Sequence, residues 1–185
     1  MTLIACLGWD SLVWDPRGLP IQRKWFDDGP FVKVELCANR RTVASLWCSR
    51  PQPLHRAPFW AIMDSFEIDA AKEALQKREG CGATDIAGWA TGEIAPAHVI
   101  GLPQWAEAHG VDSVVWTALP PKFSGHNARV PTVEEVLYHL SGLSGTVRDL
   151  AERYVRLTPR QIDTPYSRRI EAALNWTPIV ASEPK

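Results

Sequence analysis

The alternation of apolar and polar positions divides the chain into a strand-rich first two-thirds and a helical last third. Residues 2–7 mix apolar and small side chains without a polar face, which is typical of a buried strand. This run breaks at Gly8, resumes over residues 12–14 and stops at the turn residues 15–18. Three further runs are predicted to be strands, at residues 59–68, 85–94 and 112–119.

A hairpin is predicted in the middle of the strand-rich part. Apolar and polar side chains alternate over residues 31–38, as expected for a half-buried strand. A two-residue turn at Asn39-Arg40 would return the chain as a partner strand over residues 41–48, because Asn tolerates positive φ. The resulting register pairs Val43 with Leu36 and Trp47 with Val32.

Helix start and stop signals mark four helices. Asp69 can cap a helix over residues 70–79, which Gly80 would end. In the last third, two Thr-x-x-acid patterns are typical of capping boxes, and a Thr-Pro pair opens a further helix. These three starts are Thr132 with Glu135, Thr146 with Asp149, and Thr164-Pro165, and the helices are expected to end near residues 142, 157 and 175.

The order of strands and helices predicts an α+β fold, and the length of 185 residues favours one domain over residues 1–185. A formal net charge of -1 argues against a broad electrostatic grip on nucleic acid or on an anionic membrane. No stretch is long and apolar enough to span a bilayer, and the start of the chain has no secretory leader pattern. Neither the four cysteines nor the five histidines show metal-ligand spacing, so we expect no metal and a reducing cytoplasm.

The segment Gly8-Trp9-Asp10-Ser11-Leu12 is the first candidate for chemistry. A glycine-led loop at the tip of a core strand exposes several backbone N–H groups together, and such a loop can hold a carboxylate or an oxyanion. The alternative is an ordinary strand end with a bulge at Gly8.

Glu79 is the second candidate, as a general base. It lies in the stretch 75–80 at the carboxyl end of its predicted helix, where exposed carbonyls form the negative end of the helix dipole. A carboxylate placed there holds a proton more readily than usual, and burial strengthens the effect, whereas the heads of Lys77 and Arg78 would oppose it. The alternative is a solvated glutamate at a helix end.

Together the two stretches resemble the γ-glutamylcyclotransferase-like superfamily, which includes the glutathione-degrading ChaC-type enzymes. That family carries a glycine-tyrosine-glycine-serine-type loop after its first strand and a mid-chain helix ending Leu-x-x-Arg-Glu-Gly, matched here by residues 8–12 and by residues 75–80. The resemblance covers roughly residues 2–120 and implies a small mixed β-barrel with helices packed outside.

The resemblance also implies a reaction. The α-amine of a γ-glutamyl group attacks its own γ-carbonyl, which gives 5-oxoproline and a released amine without any cofactor. Glu79 would be the proton-shuttling base, and the backbone of Gly8, Trp9, Asp10, Ser11 and Leu12 would hold the substrate. Because the reacting groups already belong to one molecule, the enzyme mainly folds the substrate and moves a proton.

Two positions depart from the family pattern. Trp9 stands where tyrosine is usual, so a phenolic hydroxyl is lost while the ring is kept. Asp10 stands where glycine is usual, and its charge would repel a substrate carboxylate. We therefore expect that the substrate is not a plain γ-glutamyl amino acid, or that activity is weak or absent.

Several further residues have side chains that could take part in chemistry. Ser11 is more typical of a residue that forms hydrogen bonds within a loop than of a hydrolase nucleophile. Cys81 is more typical of a buried structural thiol than of a nucleophile. Tyr154 and Tyr166 are expected to pack against the barrel. Alternatively, Tyr166 supplies the phenolic hydroxyl that is lost at Trp9. Residues 123–129 form either a lid, whose Arg129 meets an anion, or a plain connection. The arginines of the last third form either solvated helix faces or a surface for an acidic partner.

The sequence therefore predicts a cytoplasmic γ-glutamylcyclotransferase-like enzyme whose partner is a small γ-glutamyl-like substrate. The alternative is a non-catalytic module that binds a small molecule or a protein on the same fold. An enzyme needs Glu79 and the Gly8–Leu12 loop around one hollow, whereas a binding module tolerates an exposed Glu79 or a space filled by Trp9 or Trp14.

Overall fold

The computed structural model describes residues 2–22, 24–38, 43–47, 55–119, 122–123, 126–127 and 130–179. Its strands and helices form an α+β fold, which confirms the class predicted from the sequence. The strands are β1 (Ile4–Gly8), β2 (Phe31–Ala38), β3 (Val43–Trp47), β4 (His55–Arg56), β5 (Phe59–Ile62), β6 (Ile86–Ala90), β7 (Val99–Ile100), β8 (Ser113–Thr117), β9 (Lys122–Phe123) and β10 (His126–Asn127). The α-helices are α1 (Ser11–Trp14), α2 (Ile68–Glu79), α3 (Leu102–His109), α4 (Val133–Ser141), α5 (Gly145–Leu157) and α6 (Pro165–Leu174).

The central sheet has the strand order β5-β1-β8-β6. All five residues of β1 are buried, which agrees with the unbroken apolar run at the start of the chain. β1 pairs antiparallel with β5 and parallel with β8, and β6 pairs antiparallel with β8. The carboxyl ends of the parallel strands β1 and β8 therefore share one edge of the sheet, where the loop after Gly8 begins.

The second sheet contains the expected hairpin of β2 and β3 in a different register. Ala38 pairs with Val43 and Val34 with Trp47, so the pairing of Val43 with Leu36 and of Trp47 with Val32 was wrong. Four residues, rather than two, separate the last pair, and the predicted Asn39-Arg40 turn lies outside the described residues. Two registers that differ by two residues predict the same alternation of faces, which is why the sequence pattern did not distinguish them.

The described strands form open sheets and do not close into a barrel. β2 pairs with β4 and β7 as well as with β3, and β9 pairs with β10. Isolated bridges from Ile21 to Met63 and from Phe26 to Trp60 connect the segment before β2 to the region of β5. The structure thus supports the α+β class without the closed barrel.

Two short segments adopt a structure that the pattern did not predict. Residues 11–14 form a helical turn instead of a resumed strand, because Asp10 caps it with a hydrogen bond from the Leu12 N–H to Oδ1 (3.3 Å). Helix α3 occupies a stretch without a predicted element, and it has Pro at the first turn and Gly110 at its end. The predicted strands 59–68 and 85–94 are shorter, since β5 ends at Ile62 and β6 spans Ile86–Ala90.

The helical last third has its own apolar core. Val136, Leu140 and Ile170 are fully buried there, together with Trp176. The Thr132–Glu135 capping box and the Thr164 start are confirmed. The Thr146 start was wrong, because α5 begins at Gly145 after Ser144. Every helix within the described ranges is too short or too polar to cross a membrane.

Candidate functional site

The end of α2 is fixed by Gly80, as the sequence predicts. Gly80 has φ 65°, in the left-handed region, and its N–H donates to the Gln76 carbonyl at 2.8 Å. The fully buried Leu75 anchors the last turns of the helix to the sheet. Glu79 is therefore the last helical residue, and it is held against the strand edge rather than displayed on a free helix face.

Arg78 joins Glu79 to the loop after β1. Its guanidinium contacts the Glu79 carboxylate at 2.8 Å, and only 2% of the Arg78 side chain and 16% of the Glu79 side chain are exposed. The two terminal nitrogens of Arg78 each lie 3.3 Å from Ser11 Oγ, and one also donates to the Asp15 carbonyl. The helix end and the loop thus meet in one partly buried polar cluster, defined here as the acid site: Asp10, Ser11, Arg78, Glu79, Thr117 and Tyr154.

Backbone amides of the loop are partly used by the loop itself. The Leu12 N–H donates to Asp10 Oδ1 and the Val13 N–H to the Asp10 carbonyl (2.9 Å). The side chains of Trp9 and Leu12 are 3% and 1% exposed, so both belong to the core. Gly8 has no positive φ; instead, a Cβ there would approach the Trp25 ring to 2.9 Å, so close packing requires the glycine.

Asp10 carries the clearest electrostatic perturbation in the acid site. Burial first, and the negative charge of Glu79 second, raise the pKa of Asp10 to about 6. The Tyr154 hydroxyl, which donates to Asp10 Oδ2 at 2.9 Å, acts in the opposite direction, as do the Leu12 N–H and Arg78. Asp10 and Glu79 therefore form a pair of neighbouring carboxyl groups, one of which exchanges a proton near neutral pH.

The remaining neighbours are hydroxyl and thiol groups. Thr117, the last residue of β8, points its hydroxyl at Glu79 Oε1 at 3.5 Å. Cys6 lies beneath the site, where burial, and secondarily Glu79, raise the pKa of its thiol far above the ordinary value. Cys6 is therefore an inert part of the core rather than a nucleophile.

The structure brings together several residues that the sequence singled out. Glu79, Asp10 and Ser11 belong to one cluster, and Gly8 precedes it at the end of β1. Arg78 contacts Glu79, which is the arrangement in which its positive charge opposes proton binding by Glu79, as considered from the sequence. The contact of Tyr154 with Asp10 was not foreseen, because no local pattern relates positions 144 residues apart.

Other candidates lie elsewhere or play structural parts. Tyr166 is buried and donates to the Pro131 carbonyl at 2.8 Å, so it does not supply a hydroxyl to the acid site. The pKa of Cys81 is raised, first by burial, which disfavours a reactive thiolate. Arg129 lies outside the described residues. Among the described residues, no cluster of three or more His, Cys, Asp or Glu could hold a metal ion.

A second polar cluster ties α3 to the loop before β2. Asp28 accepts hydrogen bonds from the Trp60 indole at 2.8 Å and contacts His109 Nε2 at 3.1 Å. His109 Nδ1 faces the Trp105 carbonyl at 2.8 Å. Although burial opposes the charged ring, these two acceptors raise the pKa of His109 above its ordinary value, and the Trp60 and His109 hydrogen bonds lower the pKa of Asp28.

Comparisons of the chain with protein-family models, with curated proteins and with solved structures found no match. The acid site must therefore be interpreted from its own chemistry. Two carboxyl groups, one guanidinium and three hydroxyls can bind a polar substrate, take a proton from it and return one.

Proposed function

We propose that this protein is a cofactor-free enzyme of the γ-glutamylcyclotransferase-like type, which cyclises a γ-glutamyl amide or a related compound to 5-oxoproline. Glu79 is the general base. The observation that carries the proposal is the bridge from Glu79 through Arg78 to Ser11, because it unites the two resembling segments in one cluster.

The reaction needs one group that moves a proton in two directions. Glu79 takes a proton from the α-ammonium of the substrate, and the freed amine attacks the γ-carbonyl carbon. The C–N bond of the ring forms, and the carbonyl oxygen becomes an oxyanion. When this intermediate collapses, the bond to the departing amine breaks and Glu79 returns the first proton to that amine. The second proton of the ring nitrogen then passes through Glu79 to the released amine, which leaves as an ammonium ion, so that atoms and charges balance.

The charge of the acid site suits the first step. The Glu79 carboxylate is paired with Arg78 at 2.8 Å, and a carboxylate is the form of this side chain that accepts a proton. Asp10 adds negative charge when ionised, and this charge attracts the α-ammonium of the substrate. When Asp10 is protonated, its repulsion of a substrate carboxylate disappears. The proposal includes a cytoplasmic location. It also treats the open sheets of the described residues as a divergent form of the small mixed barrel of the family.

The test measures release of 5-oxoproline from a panel of γ-glutamyl amines and γ-glutamyl peptides. We expect wild-type protein to turn over at least one panel member and Glu79→Gln to lose about 100-fold or more in kcat, because the amide cannot accept the proton. Glu73→Gln on the exposed face of the same helix is the matched control and should retain wild-type turnover. Equal turnover by wild type and Glu79→Gln would remove Glu79 from the mechanism.

A non-catalytic binding module is the second candidate, and two observations favour it. The Arg78 ion pair already occupies Glu79, and the Trp9 ring lies in the core instead of in an open hollow. In this case members of the panel would bind without product, and calorimetric titration would give similar Kd values for wild type and Glu79→Gln. Product formation that depends on Glu79 would exclude this candidate.

A further inference from the structure

We propose that Tyr154 is a positioning residue, which fixes the Asp10 carboxyl group beside Glu79 and makes the helical last third of the chain part of the acid site. The catalytic consequence of this proposal rests on the proposed function. The coupling between Tyr154 and Asp10 stands on the geometry by itself.

The geometry places Tyr154 on a rigid support. On either side of it in α5, Ala151 and Val155 are buried in the helical core, and the Thr158 hydroxyl donates to the Tyr154 carbonyl at 3.1 Å. The phenol ring packs edge-on against Trp14 with ring centroids 5.5 Å apart. Its hydroxyl therefore reaches Asp10 Oδ2 (2.9 Å) from a side chain with little freedom to move.

The Asp10 carboxyl is held at both oxygens. Oδ1 accepts from the Leu12 N–H and Oδ2 from the Tyr154 hydroxyl, which together fix its rotation. The charged and titratable groups that face Asp10 are Glu79 and Arg78 from α2, Cys6 from β1 and Tyr154 itself from α5. Arg78 is paired with Glu79 and acts on Asp10 only through its charge, so the Tyr154 hydroxyl is the side-chain hydrogen bond that favours the ionised form of Asp10 against burial and the charge of Glu79.

Removing only the hydroxyl tests this coupling. In Tyr154→Phe the ring still packs on Trp14, but Asp10 loses a hydrogen bond that favours its ionised form. We expect the titration midpoint of the Asp10 carboxyl carbon, followed by ¹³C NMR, to rise by about one pH unit. Asp10→Asn identifies the resonance, and Tyr138→Phe on α4, where the ring is 85% exposed, is the matched control.

A second variant distinguishes a specific effect on Asp10 from a general loss of structure, because it should shift the Asp10 titration midpoint in the opposite direction. Glu79→Gln removes the neighbouring negative charge, and we expect it to lower the same midpoint. An upward shift in Tyr154→Phe with a downward shift in Glu79→Gln would establish the coupled pair. A midpoint in Tyr154→Phe equal to that of the wild type and of Tyr138→Phe would overturn the proposal.

Turnover separates this proposal from the proposed function. If γ-glutamyl amides are cyclised, the acidic limb of the pH profile of kcat/KM should move to higher pH in Tyr154→Phe, by the same amount as the Asp10 titration midpoint. An acidic limb that stays in place while the midpoint moves would refute the catalytic part. If no panel member is cyclised, the proposed function fails, and the NMR midpoints alone decide whether Tyr154 controls Asp10.

Discussion

Asp10 shows how a residue that departs from a sequence pattern can still fit its site. As a permanent charge, its carboxylate would repel an acidic substrate, and on that ground the sequence predicted weak or altered activity. With its pKa raised to about 6 by burial and by Glu79, the side chain is near the balance between its two forms at neutral pH. The Asp10 side chain is thus not a permanent charge in the pH range around 6.

Gly8 is required by the residue packed against it. We expect Gly8→Ala to lower the free energy of unfolding by about 1–3 kcal/mol, because the new methyl group would approach the Trp25 ring to 2.9 Å and force a rearrangement. Gly18→Ala is the matched control, since nothing lies within 4 Å of a Cβ at that position. Urea unfolding of the three proteins measures the difference, and equal midpoints for the two variants would contradict this account.

The candidate site could be predicted at the residue scale only in part. Glu79 was found because a helix-ending glycine follows it, and Ser11 because it lies in a loop after a core strand. Arg78 was recognised as a neighbour in sequence, but its burial and its reach to Ser11 depend on how α2 packs against β8. Contacts over such distances leave no local signal in the chain.

Helix starts illustrate the same limit at the scale of elements. Thr132 and Thr146 are each followed three residues later by an acidic residue, and the two patterns look alike. In the structure, the Glu135 N–H donates to Thr132 Oγ1 at 3.2 Å and the Thr132 N–H to Glu135 Oε2 at 2.8 Å. α5 instead begins before Thr146, because Gly145 adopts φ 55° and turns the chain into the helix after Ser144.

This difference gives a paired prediction. Thr132→Ala should lower the free energy of unfolding by about 1 kcal/mol, because the first turn of α4 loses its cap. Thr146→Ala should leave it unchanged or raise it by a few tenths of a kcal/mol, because this exposed residue lies inside the first turn of α5, where alanine has the higher helix propensity. Thermal unfolding compares the stabilities of the two variants. An equal loss of stability in both would show that the Thr146–Asp149 capping box also forms.

The hairpin and the short helices could not be fixed from the pattern alone. Registers that differ by two residues bury the same faces, so only the connection between β2 and β3 separates them. α1 is a single turn and α3 spans eight residues, and neither is long enough for a clear apolar period. β1, α2 and α6 were predicted within a few residues, because an apolar run or a clear end signal marks each of them. The Asp69 cap of α2 was wrong, since the helix begins at Ile68 after Glu67 and Asp69 lies inside its first turn.

For the molecule as a whole, stability should depend on pH through Asp10. Its folded pKa of about 6 lies above the ordinary 3.8, so the folded state binds the extra proton between these values. The contribution is fully present below pH 3.8 and is lost as the pH rises through about 6, by up to roughly 3 kcal/mol. Urea unfolding from pH 4 to 6.5, below the range in which His109 contributes to the pH dependence, should show most of this decline in wild type and in Asp64→Asn, an exposed control, but not in Asp10→Asn. A parallel decline in all three proteins would assign it to other groups.

His109 also makes the folded state less stable as the pH rises, but at higher pH than Asp10 does. Both of its ring nitrogens face acceptors, the Trp105 carbonyl and the Asp28 carboxylate, so the two hydrogen bonds together require the doubly protonated ring. Because its pKa is raised, this stabilisation is fully present below pH 6.5 and is lost as the pH rises through the folded value. The tie between α3 and the loop before β2 is therefore strongest under mildly acidic conditions.

The parallel pairing of β1 with β8 also constrains how the chain is assembled. Leu3, just before β1, donates its N–H to Asp112, 109 residues further along the chain. During synthesis, the apolar β1 emerges from the ribosome before β8 and lacks this parallel partner until residues 113–117 have followed. Because this long loop must close first, folding should be slow compared with that of a helical bundle of similar length. Until the loop closes, the nascent chain exposes an aggregation-prone apolar segment that chaperones can recognise.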